Sequence, residues 1–182
     1  MPAPVPPRAL YGVLLATLLL FCPAAGHSQT LEYAVKANYL VRFAVFVQWP
    51  PDVFASPGAP VTICVAGRNR FGSVLAEAAG AHTAHGRPIA VRAIRSADQV
   101  GGCHMVYVGA GAPAELAAVA AAAGGVLLIT DQAVSRRRGA IHFDVSDGRV
   151  RFHIDNDAAR RAGLSISSRL LSLALSVSGE GR

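Results

Sequence analysis

From Val61 onward the chain alternates short β-branched runs with alanine-rich stretches of helical spacing, an order few folds accept. Val61-Thr62-Ile63-Cys64-Val65 predicts a strand, Phe71 to Ala79 a helix and Ile89 to Ile94 a strand. Cys103 to Val108 predicts the next strand, Pro113 to Ala123 a helix with proline in its first turn, and Val126 to Thr130 another strand. Strands that alternate with helices imply a mostly parallel sheet covered by helices. Ahead of this region, Leu31 to Gln48 repeats Val35, Tyr39, Phe43, Phe46 and Val47 at three- and four-residue steps. Glu32, Lys36 and Arg42 fall on the other side of that helix, with Glu32 and Lys36 spaced for an ion pair. Trp49-Pro50-Pro51 ends it, because proline disfavours helical geometry in the residue before it.

The last third breaks the rhythm. Ala140 to Ile154 predicts a β-hairpin with Asp147-Gly148 as its two-residue turn. That turn stacks Ile141 on Ile154, Phe143 on Phe152 and Val145 on Val150 on one face. The other face sets His142 against His153, Asp144 against Arg151 and Ser146 against Arg149. A slip of one residue would mix the two faces, so the partition supports the register. Asp155 or Asn156 then caps a short helix ending at Gly163. Ser165 or Ser167 starts a last amphipathic helix through Leu170, Leu171, Leu173, Ala174 and Val177. No repeat or linker marks a second domain, so residues 29–182 read as one unit.

Residues 1–28 read as an address rather than as structure. Arg8 is followed by an uncharged apolar run from Ala9 to Phe21, and Ala24 and Gly26 place small residues at a cleavage site. The run is about 13 residues, short of the roughly 20 that cross a bilayer. An uncleaved N-terminal anchor is the alternative. Cys22 raises a lipoprotein cysteine, but bulky Phe21 before it argues against that processing. Export leaves Cys64 and Cys103, and an even pair in an oxidising compartment is most simply a disulfide. Two buried free thiols are the other reading.

Composition narrows the function classes. Apolar residues make up 52% of the 182 and charged residues 15%, which excludes intrinsic disorder. Lys and Arg number 17 against 11 Asp and Glu, a net +6, and Lys36 is the only lysine. One Trp, four Tyr and seven Phe leave little material for the aromatic platforms of nucleic-acid binding. Gly109-Ala110-Gly111 follows a strand and opens a helix, with Asp131 some way on. It follows a later strand rather than the first, and reads as a tight turn more than a dinucleotide site. His82 and His85 are too few for zinc. His142 and His153, with Asp144 beside them, form a weak candidate for a metal or pH-sensing site on an otherwise exposed polar face. No nucleophile elbow or acid–base pair proposes a reaction, and no cofactor is implied. Arg136-Arg137-Arg138 is expected to be a solvated loop. Arg149, Arg151, Arg160 and Arg161 enrich the C-terminal third in arginine, a composition that partner surfaces favour.

Several of these segments resemble the YfiR-like family of exported proteins. They are Val35-Lys36-Ala37-Asn38-Tyr39-Leu40-Val41-Arg42-Phe43 with Phe46-Val47-Gln48-Trp49-Pro50, then Thr62 to Val65, Gly86-Arg87-Pro88-Ile89 and Cys103-His104. Gly139 to Phe143, Val150 to Ile154 and Ala158 to Leu171 follow in the family's order, so the resemblance covers residues 32–175. It implies a Rossmann-like α/β periplasmic protein, commonly dimeric and without catalysis. It implies binding to the periplasmic sensor region of an inner-membrane diguanylate cyclase, which is thereby repressed. Cys64 and Cys103 fall where the family places a structural disulfide. A second bridge known in some members has no counterpart, because no further cysteine remains. Arg151, Arg160, Arg161 and the exposed side of the last helix are the expected partner-binding residues. A periplasmic small-ligand sensor is the alternative function.

Overall fold

The computed structural model describes residues 25–132 and 138–179. The predicted signal segment lies outside these residues apart from its last few, and so do Arg136 and Arg137. Helix α1 spans Ala25–Phe46 and so starts ahead of Leu31. It stops at Phe46, two residues short of Gln48, because Val47–Gln48 becomes strand β1 and pairs antiparallel with β9, Ser165–Ile166. The alternating region then supplies β2 (Val61–Ala66), α2 (Val74–Gly80), β3 (Thr83–Ala84), β4 (Arg87–Ile94) and β5 (Met105–Val108). It continues with α3 (Ala114–Ala122), β6 (Leu127–Asp131), β7 (Ile141–Ser146) and β8 (Arg149–Asp155). Helix α4 (Asn156–Arg161), α5 (Ser168–Leu171) and β10 (Ser176–Ser178) follow.

Eight strands form one sheet in the order β10-β8-β7-β6-β5-β2-β4-β3. Strands β4, β2, β5, β6 and β7 are mutually parallel, so the expected α/β class holds. In chain order these five read 2-1-3-4-5, a doubly wound arrangement whose switch point lies between β2 and β5. The hairpin has the register that its turn predicts, from Ile141↔Ile154 to Ser146↔Arg149. Asp147 and Gly148 both take positive φ, 53° and 67°, as the tight turn requires. The Asp155 side chain caps α4 by accepting a 2.8 Å hydrogen bond from the Ala158 N–H, and Gly163 ends the turn beyond it at φ 78°.

The predicted last helix is corrected. Only one turn forms, after which Ser176–Ser178 lies parallel to β8 as the edge strand. Val177 therefore pairs with Ile154 instead of continuing a helical stripe. A four-residue helix recovers little of its nucleation cost, whereas the open edge of β8 offers backbone partners.

Two cores sandwich the sheet. The larger lies under α1 and α2 and includes the hairpin's apolar face. Phe43 meets Phe143 at 5.6 Å and Phe152 at 5.1 Å, and Tyr39 meets Phe152 at 5.2 Å. Edge-to-face and offset aromatic pairs add about 0.5–1.5 kcal/mol each beyond burial. The smaller core packs Leu116 and Ala120 of α3 over Cys64, Val106 and Leu128 on the opposite face. Among the described residues no helix is long and apolar enough to cross a membrane.

Lys36 is not on a solvent face, as its helical spacing had implied. Its side chain is wholly buried and donates to Asp131 Oδ2 at 2.6 Å, while also pairing with Glu32. The reason is its place near the middle of α1, where it meets Asp131, the last residue of β6. The Tyr107 O–H donates to the same Oδ2 at 2.7 Å. Burial draws the Lys36 ammonium toward deprotonation, but the hydrogen bonds and charges of Asp131 and Glu32 outweigh it and raise its pKa. Burial, with the Asp131 charge, pushes the Tyr107 hydroxyl far up, so it stays a donor. Lys36→Met leaves the buried Asp131 carboxylate without its counter-charge and is expected to cost about 3–5 kcal/mol by urea denaturation. Lys36→Met combined with Asp131→Asn removes the stranded charge and should regain more than half of that loss. Equal losses in the two variants would contradict the pairing.

Candidate functional site

Doubly wound folds usually bind ligands at the carboxyl edge, beside the switch point. Here that crevice is closed by the chain itself. The Gly109 N–H donates to Ala66 O and the Arg68 N–H to Ala110 O, both at 2.8 Å, zipping the β2–α2 and β5–α3 loops together. Gly67 sits in the zip at φ 85°, and a Cβ there would lie 2.7 Å from both Ala110 O and Ala112 N. The glycines around residue 109 thus serve a tight turn and a close approach of two loops, as the sequence reading favoured. A small concavity of about 280 Å³ remains to one side, lined by Gln29, Thr30, Tyr33, Arg70 and Phe71.

Cys64 and Cys103 are bonded, with Cα atoms 5.8 Å apart, so the disulfide reading holds over the free thiols. The bridge ties the middle of β2 to the residue two before β5, closing a loop of 39 residues. A loop of that size contributes about 4 kcal/mol on a chain-entropy model. Both half-cystines are buried against α3. Sequence reasoning missed the cation beside them. Arg92 Nη2 lies 3.1 Å from Cys103 Sγ and donates to Gly101 O at 2.8 Å and Gln99 O at 3.1 Å.

The predicted partner-binding arginines are all exposed but do not form one cluster. Arg151 lies on β8, across from Asp144, and borders a groove with Tyr39 and Leu173 to Leu175. Arg160 lies on α4 and pairs with Asp157 one turn back. Arg161 borders a different groove of about 330 Å³, which Arg138 and the alanines at the end of α3 also line. The exposed side of the last helix shrinks to Ser168 and Arg169.

The polar hairpin face is also corrected: His142 is 5% exposed. Strand β7 has neighbours on both sides, and His142 Nδ1 shares a 2.8 Å hydrogen bond with Thr130 Oγ1. Burial, then the charges of Arg138 and His153, holds the His142 pKa below the usual value. His153 remains half-buried, with Nδ1 bonded to Ser176 Oγ at 2.6 Å and Nε2 3.6 Å from Asp144 Oδ2. The two ring Nδ1 atoms thus already have hydroxyl partners. Among the described residues no group of three His, Cys, Asp or Glu is placed to hold a metal ion. His82 and His85 bond to Ala78 O and Val47 O. His104, which follows the disulfide, is buried with its ring 4.5 Å from Phe54 and accepts at Nδ1 from the Thr62 N–H, 3.1 Å away. Burial lowers its pKa as well, against the pull of the Val53 backbone carbonyl, which favours the protonated ring, and with the Arg87 charge adding to the effect.

A family model described as YfiR/HmsC-like matches residues 33–175. No curated protein matches the chain.

Two depressed histidines give stability a pH dependence of known sign. On acidification the unfolded chain takes up protons near its ordinary histidine pKa, about 6.5, before folded His104 and His142 do. Their contribution is complete above that pH and is lost as pH falls through the folded values. The urea midpoint is expected to drop between about pH 7.5 and about pH 5.5, less so in a His142→Gln variant. A midpoint that rises on acidification would contradict their burial as neutral rings.

Proposed function

Since the chain belongs to the YfiR/HmsC-like family, whose members are periplasmic, non-catalytic regulators of diguanylate cyclases, we propose that it represses such an enzyme by direct binding. The partner is the periplasmic sensor region of an inner-membrane diguanylate cyclase, and binding lowers cyclic di-GMP. The observation that carries this reading is the family match over nearly all of the folded residues, 33–175. The fold is in keeping with it. Its usual ligand crevice is filled by its own loops, while its C-terminal third presents Arg151, Arg160 and Arg161 to solvent.

Repression of this kind is differential binding. The protein must hold the inactive state of the cyclase more tightly than the active one, because equal affinity shifts nothing. Taking a partner from mostly active to mostly inactive requires a difference of about 5 kcal/mol. A few well-buried anchors supply that much. The same proposal includes removal of residues 1–28 as a signal peptide, action of 29–182 as a single domain in the periplasm, and a homodimer as the working form. A second reading, a small-ligand sensor, is favoured by the concavity beside Tyr33 and Arg70, which has an aromatic floor and a cation at its rim.

The test is co-purification of the exported protein with the periplasmic regions of membrane diguanylate cyclases from its own cell. Capture is expected, and Arg160→Glu combined with Arg161→Glu should weaken it by about tenfold or more. Deletion of the gene should raise cyclic di-GMP and surface attachment. Unchanged cyclic di-GMP after deletion would end the proposal.

A further inference from the structure

Two shallow grooves meet at Arg149 and Val150. One runs between the start of α1 and the hairpin and is lined by Leu31, Val35 and Val145. The other lies between the hairpin and the turn after α5 and is lined by Tyr39, Leu173 and Leu175. Single exposed apolar residues are ordinary on a protein surface; a concentration of them is not. Among the described residues five large apolar side chains are exposed, and four of them line this trough. They are Leu31, Val145, Leu173 and Leu175, at 68, 38, 53 and 48%.

The shape and the charge limit what fits. Leu31, Val35 and Tyr39 recur every four residues, so they form one ridge of α1 about 12 Å long. A ridge facing a flat strand, with a turn closing one end, suits a helix laid along it. Arg149 and Arg151 flank Val150 on the stretch of β8 that β10 leaves unpaired; they start from the hairpin's other face at this open edge, are exposed, and among the described residues make no ion pair. Glu32, at the α1 end, is already engaged by Lys36. A second copy whose two-fold axis passed beside these arginines would bring them against their own equivalents. An occupant with carboxylates on its flanks meets no such cost.

We propose that the trough formed by α1, the hairpin and residues 173–175 seats an amphipathic helix of a partner protein, apolar on one face and carrying Asp or Glu beside it. This deepens the repressor reading by assigning the apolar part of the contact, and it rests on that reading for the partner's identity.

Two synthetic helices of about 18 residues, leucine on one face and either glutamate or lysine on the flanks, provide the probe. Fluorescence anisotropy with the full mature chain is expected to show the glutamate helix binding about tenfold tighter than the lysine one. Leu173→Ser with Leu175→Ser, and separately Arg149→Glu with Arg151→Glu, should each weaken it by about tenfold, and Arg160→Glu should not. Binding by neither helix, or equal binding unaffected by these changes, would overturn the proposal. So would a dimer in sedimentation that the leucine changes dissociate, because a second copy would then fill the trough. Helix binding without cyclase capture would sink the repressor reading alone. Cyclase capture undiminished by the trough variants would sink the trough alone.

Discussion

A lysine ammonium and an aspartate carboxylate 2.6 Å apart, both shut off from water, fix where α1 lies on the sheet, and much of the molecule follows from that. A buried ion pair gains little net stability over an apolar substitute, but a displaced partner is left as an uncompensated charge. Such a contact is intolerant of slippage. Held by it, α1 presents Tyr39 and Phe43 to the hairpin's phenylalanines and closes the larger core. The same seating leaves Leu31 and Val35 along one side of the hairpin, where they become a wall of the exposed trough. The disulfide does comparable work on the other face, tying β2 to the approach to β5 under α3.

The two ends of the sheet have been put to different uses. At the carboxyl edge, Lys36, Asp131 and Tyr107 satisfy one another, and Gly67 lets two loops meet by main-chain hydrogen bonds. These groups are spent on structure. At the hairpin margin residues 168–178 form one helical turn and three residues of strand, and Leu173 and Leu175 between them stay in solvent. The proposed docking would use this division: a rigid body whose polar interior is internally matched, and an apolar surface open to a partner.

What the sequence disclosed depended on how local the signal was. The hairpin register was legible to the residue because Asp147-Gly148 fixes the turn and the two faces alternate with period two. The cysteine pair was legible by subtraction once residues 1–28 were read as an address and set aside. Lys36 was not, since an i,i+4 pair with Glu32 looks the same on a solvated helix and the deciding partner lies 95 residues away. Its being the sole lysine among 17 cations was the available signal. Alternation showed that His142 lies opposite Phe143's face but not that this second face is covered. Leu170, Leu171, Leu173, Ala174 and Val177 satisfy helical spacing, yet pairing with β8 overrode it. The arginines were correctly read as exposed, but nothing in a linear sequence reveals that Arg151 and Arg161 border different grooves.

Hydrogen–deuterium exchange on the mature protein, alone and bound to a cyclase periplasmic region, is the most direct measurement of where this molecule works. The account predicts new protection over residues 145–152 and 172–178, with exchange at the carboxyl-edge loops around Gly67 and Gly109 unchanged. Protection confined to those loops and the neighbouring Tyr33–Arg70 concavity would contradict it, and would mark the molecule as a ligand sensor instead.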